Sequence, residues 1–394
     1  MVEWKELGVV ASYYRGVTYN KKQEVSLNSG GTKILRANNI TLGTNSLNFE
    51  DVKEISSEVK IKDSQWLYPD DILICAGSGS KEHVGKVAYI YKPLNYAFGG
   101  FMGKIVASKV LNPRFLFHVI SSSLFKNYLL TALNSTTINN LSVGIINDFQ
   151  IPIPPLSEQN RIVGILDTFT ESIENLKKQI SERKKQYEHY RDQLLDLEGK
   201  PGVEMKAMGE IGSFIRGSGI QKSDFVEKGL PCIHYGQVHT KYGLSATSTI
   251  SFINESLFKK CKKAVKDDIV IATTSEDAEG VAKPVAWLGN EEVAISGDAY
   301  IFHHNQNGKF MAHQLVSHRF MLFKVKYATG TKVVRISGDS MAKFIVPLPS
   351  LTEQQRIVTI LDTFEASIAN LEAQLSLRQK QYEYYRNMLL TFDE

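Results

Sequence analysis

The sequence is short of several things, and each shortage excludes something. Its 394 residues contain only three cysteines, Cys75, Cys232 and Cys261, far apart and without a C-x-x-C pair. That usage argues against a disulfide framework or a cysteine-based zinc site and suits a reducing compartment. No apolar run approaches the roughly 18 residues needed to span a bilayer, so no membrane association is expected. The opening stretch MVEWKELGVV has early acids and no long apolar core, which is not a secretory pattern; a cytoplasmic protein is the expectation. Charged and apolar fractions of 22% and 43% are ordinary for globular chains, and the length suits two or three domains, each with its own core.

Charge is present but uneven. Residues 1–150 carry 16 basic and 12 acidic side chains, and residues 200–345 carry 19 and 14. Residues 151–199 and 346–394 are net acidic, at 7 basic against 9 acidic and 4 against 7. A few charges per domain is normal variation, so this could be chance. The alternative is that the basic parts face a polyanion.

The acidic segments are copies of each other. LSEQNRIVGILDTFTESIENL (Leu156–Leu176) returns as LTEQQRIVTILDTFEASIANL (Leu351–Leu371), and from Pro152 and Pro347 onward 28 of 44 positions agree. A recurrence after about 195 residues is a duplicated half, not a stacked short repeat. In the first copy the apolar positions are Ile162, Leu166, Phe169, Ile173, Leu176, Ile180, Tyr187, Tyr190, Leu194 and Leu197, with Arg183 in the remaining slot. In the second they are Ile357, Leu361, Phe364, Ile368, Leu371, Leu375, Tyr382, Tyr385, Leu389 and Phe392, with Arg378 in that slot. Steps alternating four and three are the period of a left-handed coiled coil. An arginine at such a position either fixes register or snorkels from the seam edge. Ser157 and Thr352 are the expected N-caps, Thr352 with Gln355 forming a capping box, and EGKPG (Glu198–Gly202) ends the first helix. Each helix should run for about 40 residues, about 60 Å.

A helix that long with an apolar seam needs a partner, and the other copy is the nearest candidate. An antiparallel pair brings the end of the first helix close to the start of the second, which one compact domain can bridge; a parallel pair leaves a gap of about 60 Å. The antiparallel pair is therefore expected, with the basic domains at opposite ends of a rod and a pseudo-two-fold axis across it. Leu166→Asp or Leu361→Asp should loosen the pair while leaving both basic domains folded.

Fainter echoes link the basic parts. LGVVASYYRG (Leu7–Gly16) resembles MGEIGSFIRG (Met208–Gly217), and YPDDILICAGSGS (Tyr68–Ser80) resembles VKDDIVIATTSED (Val265–Asp277). Short apolar runs between Gly/Ser/Asn loops predict mixed α/β domains with strands dominant, an α+β class overall. Residues 113–133 and 309–327 read as a helix or helix pair. The expected organisation is a first domain over 1–150, a helix over 151–199, a second domain over 200–345 and a helix over 346–394.

These residues carry a resemblance. A basic domain ending in IPIPPLSEQNRIVGILD runs into a long helix, and both repeat; the pattern PLP-x-L-x-EQ-x-RIV-x-ILD lies at Pro347–Asp362, with a near-copy at Pro152–Asp167. The whole chain in this order resembles the specificity subunit (HsdS) of type I restriction–modification enzymes. The resemblance implies two target-recognition domains reading the half-sites of a bipartite, non-palindromic double-stranded DNA sequence, with the helix pair as spacer and docking surface. It implies partners: two methyltransferase (M) subunits using S-adenosylmethionine, and restriction (R) subunits using ATP and Mg, joined through the M subunits. It implies no cofactor and no catalysis in this chain.

The residues give no independent sign of chemistry. A methyltransferase needs a glycine-rich cofactor loop and an Asn/Asp-Pro-Pro-aromatic motif, and neither is present. GSGSKEHVGK (Gly77–Lys86) fails the phosphate-loop spacing, with Val87 where Ser or Thr is needed. A nuclease reading of Pro69-Asp70-Asp71 with Glu82 fails because Val84 occupies the lysine position. His303, His304, His313 and His318 have no metal-site spacing.

Phosphate contacts supply affinity and base-edge contacts specificity, so the candidates are polar loop residues beside lysine or arginine. In the first domain these are Arg15, Lys21, Lys22, Arg36, Asn38, Asn39, Ser78, Ser80, Lys81, His83, Thr136 and Thr137. In the second they are Arg216, Lys222, Tyr235, Gln237, His239, Lys241, Ser275, Lys332 and Arg335. The run KKCKKAVKDD (Lys259–Asp268) either tracks phosphates or is a solvated helix face. A reading of another class is a coiled-coil adaptor with two protein-binding domains, which would not respond to DNA.

Overall fold

Each Asp-Asp echo is a turn built on the same strained residue. Asp70 and Asp267 take left-handed backbone, φ 70° and 71°, a conformation that aspartate tolerates better than most residues. The next carboxylate closes the turn: Asp71 accepts from Tyr68 N and Asp268 from Val265 N, both at 2.8 Å. Each turn feeds a fully buried apolar strand, Ile72–Cys75 or Ile269–Ala272. The Arg-Gly echoes have an equally local cause. A Cβ on Gly16 would lie 2.1 Å from the Gly99 carbonyl oxygen, and one on Gly217 would lie 2.2 Å from that of Ser296. Only glycine lets these strand ends approach so closely.

The computed structural model describes residues 2–41, 43, 45–134, 140–330 and 332–392. Its contacts divide it into two units, Met1–Lys177 with Ala373–Glu394, and Lys178–Glu372. Each long helix, Leu156–Leu195 and Leu351–Leu389, therefore contributes one part to each unit.

In the first unit, strand Glu3–Glu6 pairs antiparallel with Gln150–Ile153, tying the start of the domain to the strand that enters the helix. One sheet orders Ala11–Arg15, Met102–Ala107, Ile72–Cys75 and Val87–Tyr89, all antiparallel. A second orders Glu24–Val25, Lys53–Ile55, Thr32–Leu35 and Tyr96–Phe98, with the last pair parallel. The second unit repeats this plan: Glu204–Ala207 pairs with Ile345–Leu348, and two five-stranded sheets follow, the second again containing one parallel pair, Leu230–Ile233 with Val293–Ile295. The expected helical stretches are both helix pairs, Pro113–Ile120 with Ser123–Asn134 and Gly308–Gln314 with His318–Tyr327.

Within each unit the helix segments run antiparallel. In the first, Ile162 and Leu166 share a core with Tyr382, Leu389, Leu390 and Phe392. Phe169 stacks on Tyr385 at 5.3 Å and lies 5.6 Å from the Arg378 guanidinium. So Arg378 caps an aromatic face of the seam, a cation–π contact. In the second unit, Tyr187, Leu194, Leu195 and Leu197 share a core with Ile357, Val358 and Leu361. Tyr190 stacks on Phe364 at 5.4 Å, and Lys184 pairs with Glu372 at 2.8 Å. Of the middle seam positions, Ile173 and Ile180 are buried, while Leu176, Ile368, Leu371 and Leu375 are half-buried.

Two expectations change. Ser157 and Thr352 lie inside their helices, which begin one residue earlier. At the second helix Ser350 Oγ accepts from Glu353 N at 3.3 Å. Buried Gln159 and Gln354 take over the tie to the domain: each donates back to a proline carbonyl, Pro154 at 2.8 Å or Pro349 at 3.0 Å, and accepts from a domain amide, Asn112 N at 2.8 Å or Asn307 N at 3.1 Å. Second, Leu166 and Leu361 do not serve the helix pair alone. Leu166 is packed with Phe115, Val119 and Ile151, and Leu361 with Met208, Phe310 and Met311, in cores that continue into the sheets. An aspartate there strikes the domain as well as the pair.

Candidate nucleic-acid interface

The strand registers align the two domains residue by residue. In the parallel pairs, Leu35 opposes Phe98 as Ile233 opposes Ile295, so Arg36 corresponds to His234 and Asn39 to Gln237. A short helix follows in each, Ala37–Asn39 and Tyr235–Thr240. Strands ending at Arg15 and Arg216 precede the close-approach glycines. Lys21 and Lys222 each open a single 3-10 turn. Cys75 pairs with Lys86 as Ala272 pairs with Lys283, which matches Ser78 to Ser275. Leu141 N donates to Ala76 O, and Ile336 N to Thr273 O, which matches Asn140 to Arg335. The candidate residues of the two domains therefore fall on equivalent elements.

In the first domain these elements enclose a cleft of about 1310 Å³ lined by Lys21, Arg36, Asn38, Ser78 and His83, together with Tyr19, Asn48, Phe101 and Asn140. Lys21, Lys22 and Asn38 are exposed; Arg36, Ser78, Ser80 and His83 are half-buried. Arg15 is exposed and donates to Leu141 O at 3.0 Å. Thr136 and Thr137 lie outside the described residues, as does the side chain of Lys81. Asp51 is a partner that sequence reasoning missed. Its carboxylate accepts from Arg36 Nη2 at 2.6 Å and from Asn38 Nδ2 at 2.8 Å, holding both donors at the cleft edge. Only the fold brings position 51 to position 36.

In the second domain, Lys222, Lys241, Lys332, Arg335 and Arg216 are exposed, while Tyr235, His239 and Ser275 are half-buried. Arg216 donates to Gly297 O at 2.9 Å. His239 Nε2 lies 2.8 Å from Thr274 O, fixing the short helix to the strand Thr274–Ser275, which pairs with Val334–Arg335.

Asn39 and Gln237 are corrected as outward readers. Asn39 is fully buried; its side chain accepts from Arg36 N at 2.8 Å and donates to Asn48 O at 3.2 Å. Gln237 accepts from His234 N at 3.2 Å and donates to Ser251 Oγ at 2.6 Å. Both amides close the turn that presents their neighbours. In the Lys259–Asp268 run, Lys259 pairs with Glu255 at 2.7 Å, and Lys263 lies 5.2 Å from the Phe258 ring.

His303 pairs with Asp268 at 2.7 Å. Burial pushes His304 down to about 4 and His313 to about 3. All three cysteines are buried and free, and burial raises each thiol, Cys232 to about 12. Among the described residues no cluster of His, Cys, Asp or Glu could hold a metal ion, and no helix is long and apolar enough to cross a membrane.

Comparison with known proteins places the chain. Residues 1–183 and 201–377 match the type I restriction modification DNA specificity domain, so the chain belongs to that family, with two copies of the domain. It is 35% identical over 265 residues to the Escherichia coli type I restriction enzyme EcoR124I/EcoR124II specificity subunit, covering 62% of this chain and 63% of that protein. It is 34% identical over 172 residues to the EcoKI specificity subunit of Escherichia coli K12, covering 43% and 36%. The chain thus spans between about a third and two-thirds of the length of these relatives. The fold is that of a chain in a structure of type I R-M complex assembly, with TM-score 0.60, 19% identity and coverage of 99% and 96%. It is also that of the type I S subunit from M. genitalium, with TM-score 0.54, 15% identity and coverage of 100% and 97%.

Proposed function

We propose that this chain reads a bipartite, asymmetric DNA sequence as the specificity subunit of a type I restriction–modification complex, one domain per half-site. The observation that carries this reading is the duplicated face with unlike side chains. The same elements carry Arg36, Asn38 and Asn140 in one domain; the matching positions of the other hold His234, which is buried, Gly236, which has no side chain to offer, and exposed Arg335. Equivalent scaffolds with different donors and acceptors read different base edges; an adaptor for one kind of protein ligand has no need of that divergence. Lys21, Lys22, Lys222 and Lys332 supply phosphate contacts, which position the protein without carrying sequence information.

The chain holds no catalytic group in this reading. Methyl transfer belongs to M subunits that carry S-adenosylmethionine, and cleavage to R subunits that use ATP and Mg, in the cytoplasm. The test is enrichment from a random duplex library by the purified full chain, repeated at two salt concentrations. Two unlike short motifs at a fixed separation should emerge, with affinity falling steeply with salt. Binding without any enriched motif would refute the reading.

A further inference from the structure

Two lysines outside the candidate set occupy the same place in the two domains. In the first, the turn strand Ile72–Cys75 meets Val87–Tyr89, with Ile72 opposite Tyr89 and Ile74 opposite Val87; Cys75 N donates to Lys86 O at 2.8 Å. In the second, Ile269 lies opposite Ala286, Ile271 opposite Pro284 and Ala272 opposite Lys283. Lys86 and Lys283 are therefore equivalent by register.

Their side chains do the same thing. Lys86 Nζ donates to Ala37 O at 2.8 Å and Ile40 O at 2.6 Å. Lys283 Nζ donates to His239 O at 3.0 Å. Both ammoniums thus reach across from one sheet to carbonyls of the short helical segment that leaves the other: for Lys86 the first residue of the single turn Ala37–Asn39 and Ile40, which ends it, and for Lys283 the next-to-last residue of Tyr235–Thr240. Ala37 O already accepts from Ile40 N at 3.4 Å, so Lys86 adds a second donor there, while a carbonyl in the last turn of a helix, such as His239 O, has no intrahelical partner. Lys86 lines the cleft, yet it is 8% exposed and its charge points inward. Burial pulls both ammoniums below the ordinary lysine value, which is costly for a residue that only fills space. Methionine would fill the same volume without that cost. What methionine lacks is the donor that fixes a carbonyl.

We infer that Lys86 and Lys283 are the positioning residues of the two readers, each clamping the helix that carries its domain's base-reading side chains at a set distance from the loop beyond the Asp-Asp strand. The inference rests on the DNA-reading function proposed above. It adds that specificity at each half-site depends on an inward-turned cation that does not itself touch DNA.

The experiment is the random-duplex enrichment on the full chain, with wild type, K86M and K283M compared, and thermal melting run on each. K86M should blur only the motif read by the first domain, lowering discrimination against single-base changes there by about ten-fold. K283M should blur only the other. The salt dependence of binding should stay at the wild-type slope in both. If wild type enriches a bipartite motif and a folded K86M or K283M enriches it unchanged, the clamp is refuted. A salt slope shallower by about one would make the lysine a phosphate contact instead and equally overturn the inference. If wild type enriches nothing, it is the DNA-reading proposal that fails. Lys283 is the less buried of the two, so should K86M fail to fold, K283M and the milder K86Q carry the test.

Discussion

Asn39 and Gln237 show how a residue can be at a functional place without being outward-facing. Both are candidates as polar loop residues near a basic one, and both follow the parallel strand at the same offset. Hydrogen bonding, and for Asn39 full burial, ties them to the turn. The sequence showed polar residues next to basic ones, which locates a loop, but the direction of a side chain depends on a partner such as Asn48 or Ser251, and nothing local announces it. Asp51 was invisible for the same reason. The prediction at this scale concerns His313. It is fully buried beside the Tyr187 hydroxyl, 3.3 Å away, which itself donates to Glu365 at 3.0 Å. Burial, then Lys309 and Arg191, hold its pKa at about 3, against 6.5 ordinarily. On acidification the unfolded chain takes up this proton first, so the stability contributed by neutral His313 is intact above about pH 6.5 and declines towards pH 3. Between pH 6.5 and 5 the loss should be about 2 kcal/mol. In denaturant unfolding at pH 7 and 5, H313Q should show a drop smaller by roughly that amount; an equal drop would mean that the ring is not buried neutral.

At the scale of elements, the two helices were legible almost to their ends, because five heptads of apolar spacing leave few other outcomes. Their pairing direction followed from chain connectivity alone. What could not be read was how far each seam continues into its domain. A heptad pattern reports that a position is apolar, and the same pattern serves a partner helix or a sheet. Ile162, Leu166, Ile357 and Leu361 face both. The caps were misplaced by this coupling too: Gln159 and Gln354 bind the domain as well as the helix start, so the helix begins where the domain strand lets go. The consequence is that Leu361→Asp should cost about 3–5 kcal/mol, as a buried large residue replaced by an unpaired charge. The damage should be confined to its own unit. Hydrogen exchange on L361D should lose protection across Met208, Phe310–Ala312 and the strand Ile345–Leu348, with strand Ile72–Cys75 still protected. Leu166→Asp should give the converse. Protection retained in both units would show that the helix start is not part of either core.

At the scale of the whole molecule, each long helix contributes one part to each unit, and under the proposed function the helices become the expected determinant of half-site separation. An insertion tests this because helix geometry fixes both distance and angle. Four residues add about 6 Å and a little over one turn, so the seam is nearly back in phase; one residue turns the seam by about 100° and should break the pairing. Inserting four residues at matched points of both helices, between Ile173 and Ile180 and between Ile368 and Leu375, should therefore leave both domains folded and both motifs unchanged. The non-specific gap between the motifs should lengthen by one or two base pairs, since B-DNA rises 3.4 Å per step. A single-residue insertion in both should instead abolish recognition of the joined site while each half-motif is still bound weakly. An unchanged gap with intact motifs would mean that the distance between readers is set elsewhere, by the partner subunits or by bending of the DNA, and the helices would then be left with the role of holding the domains in one chain.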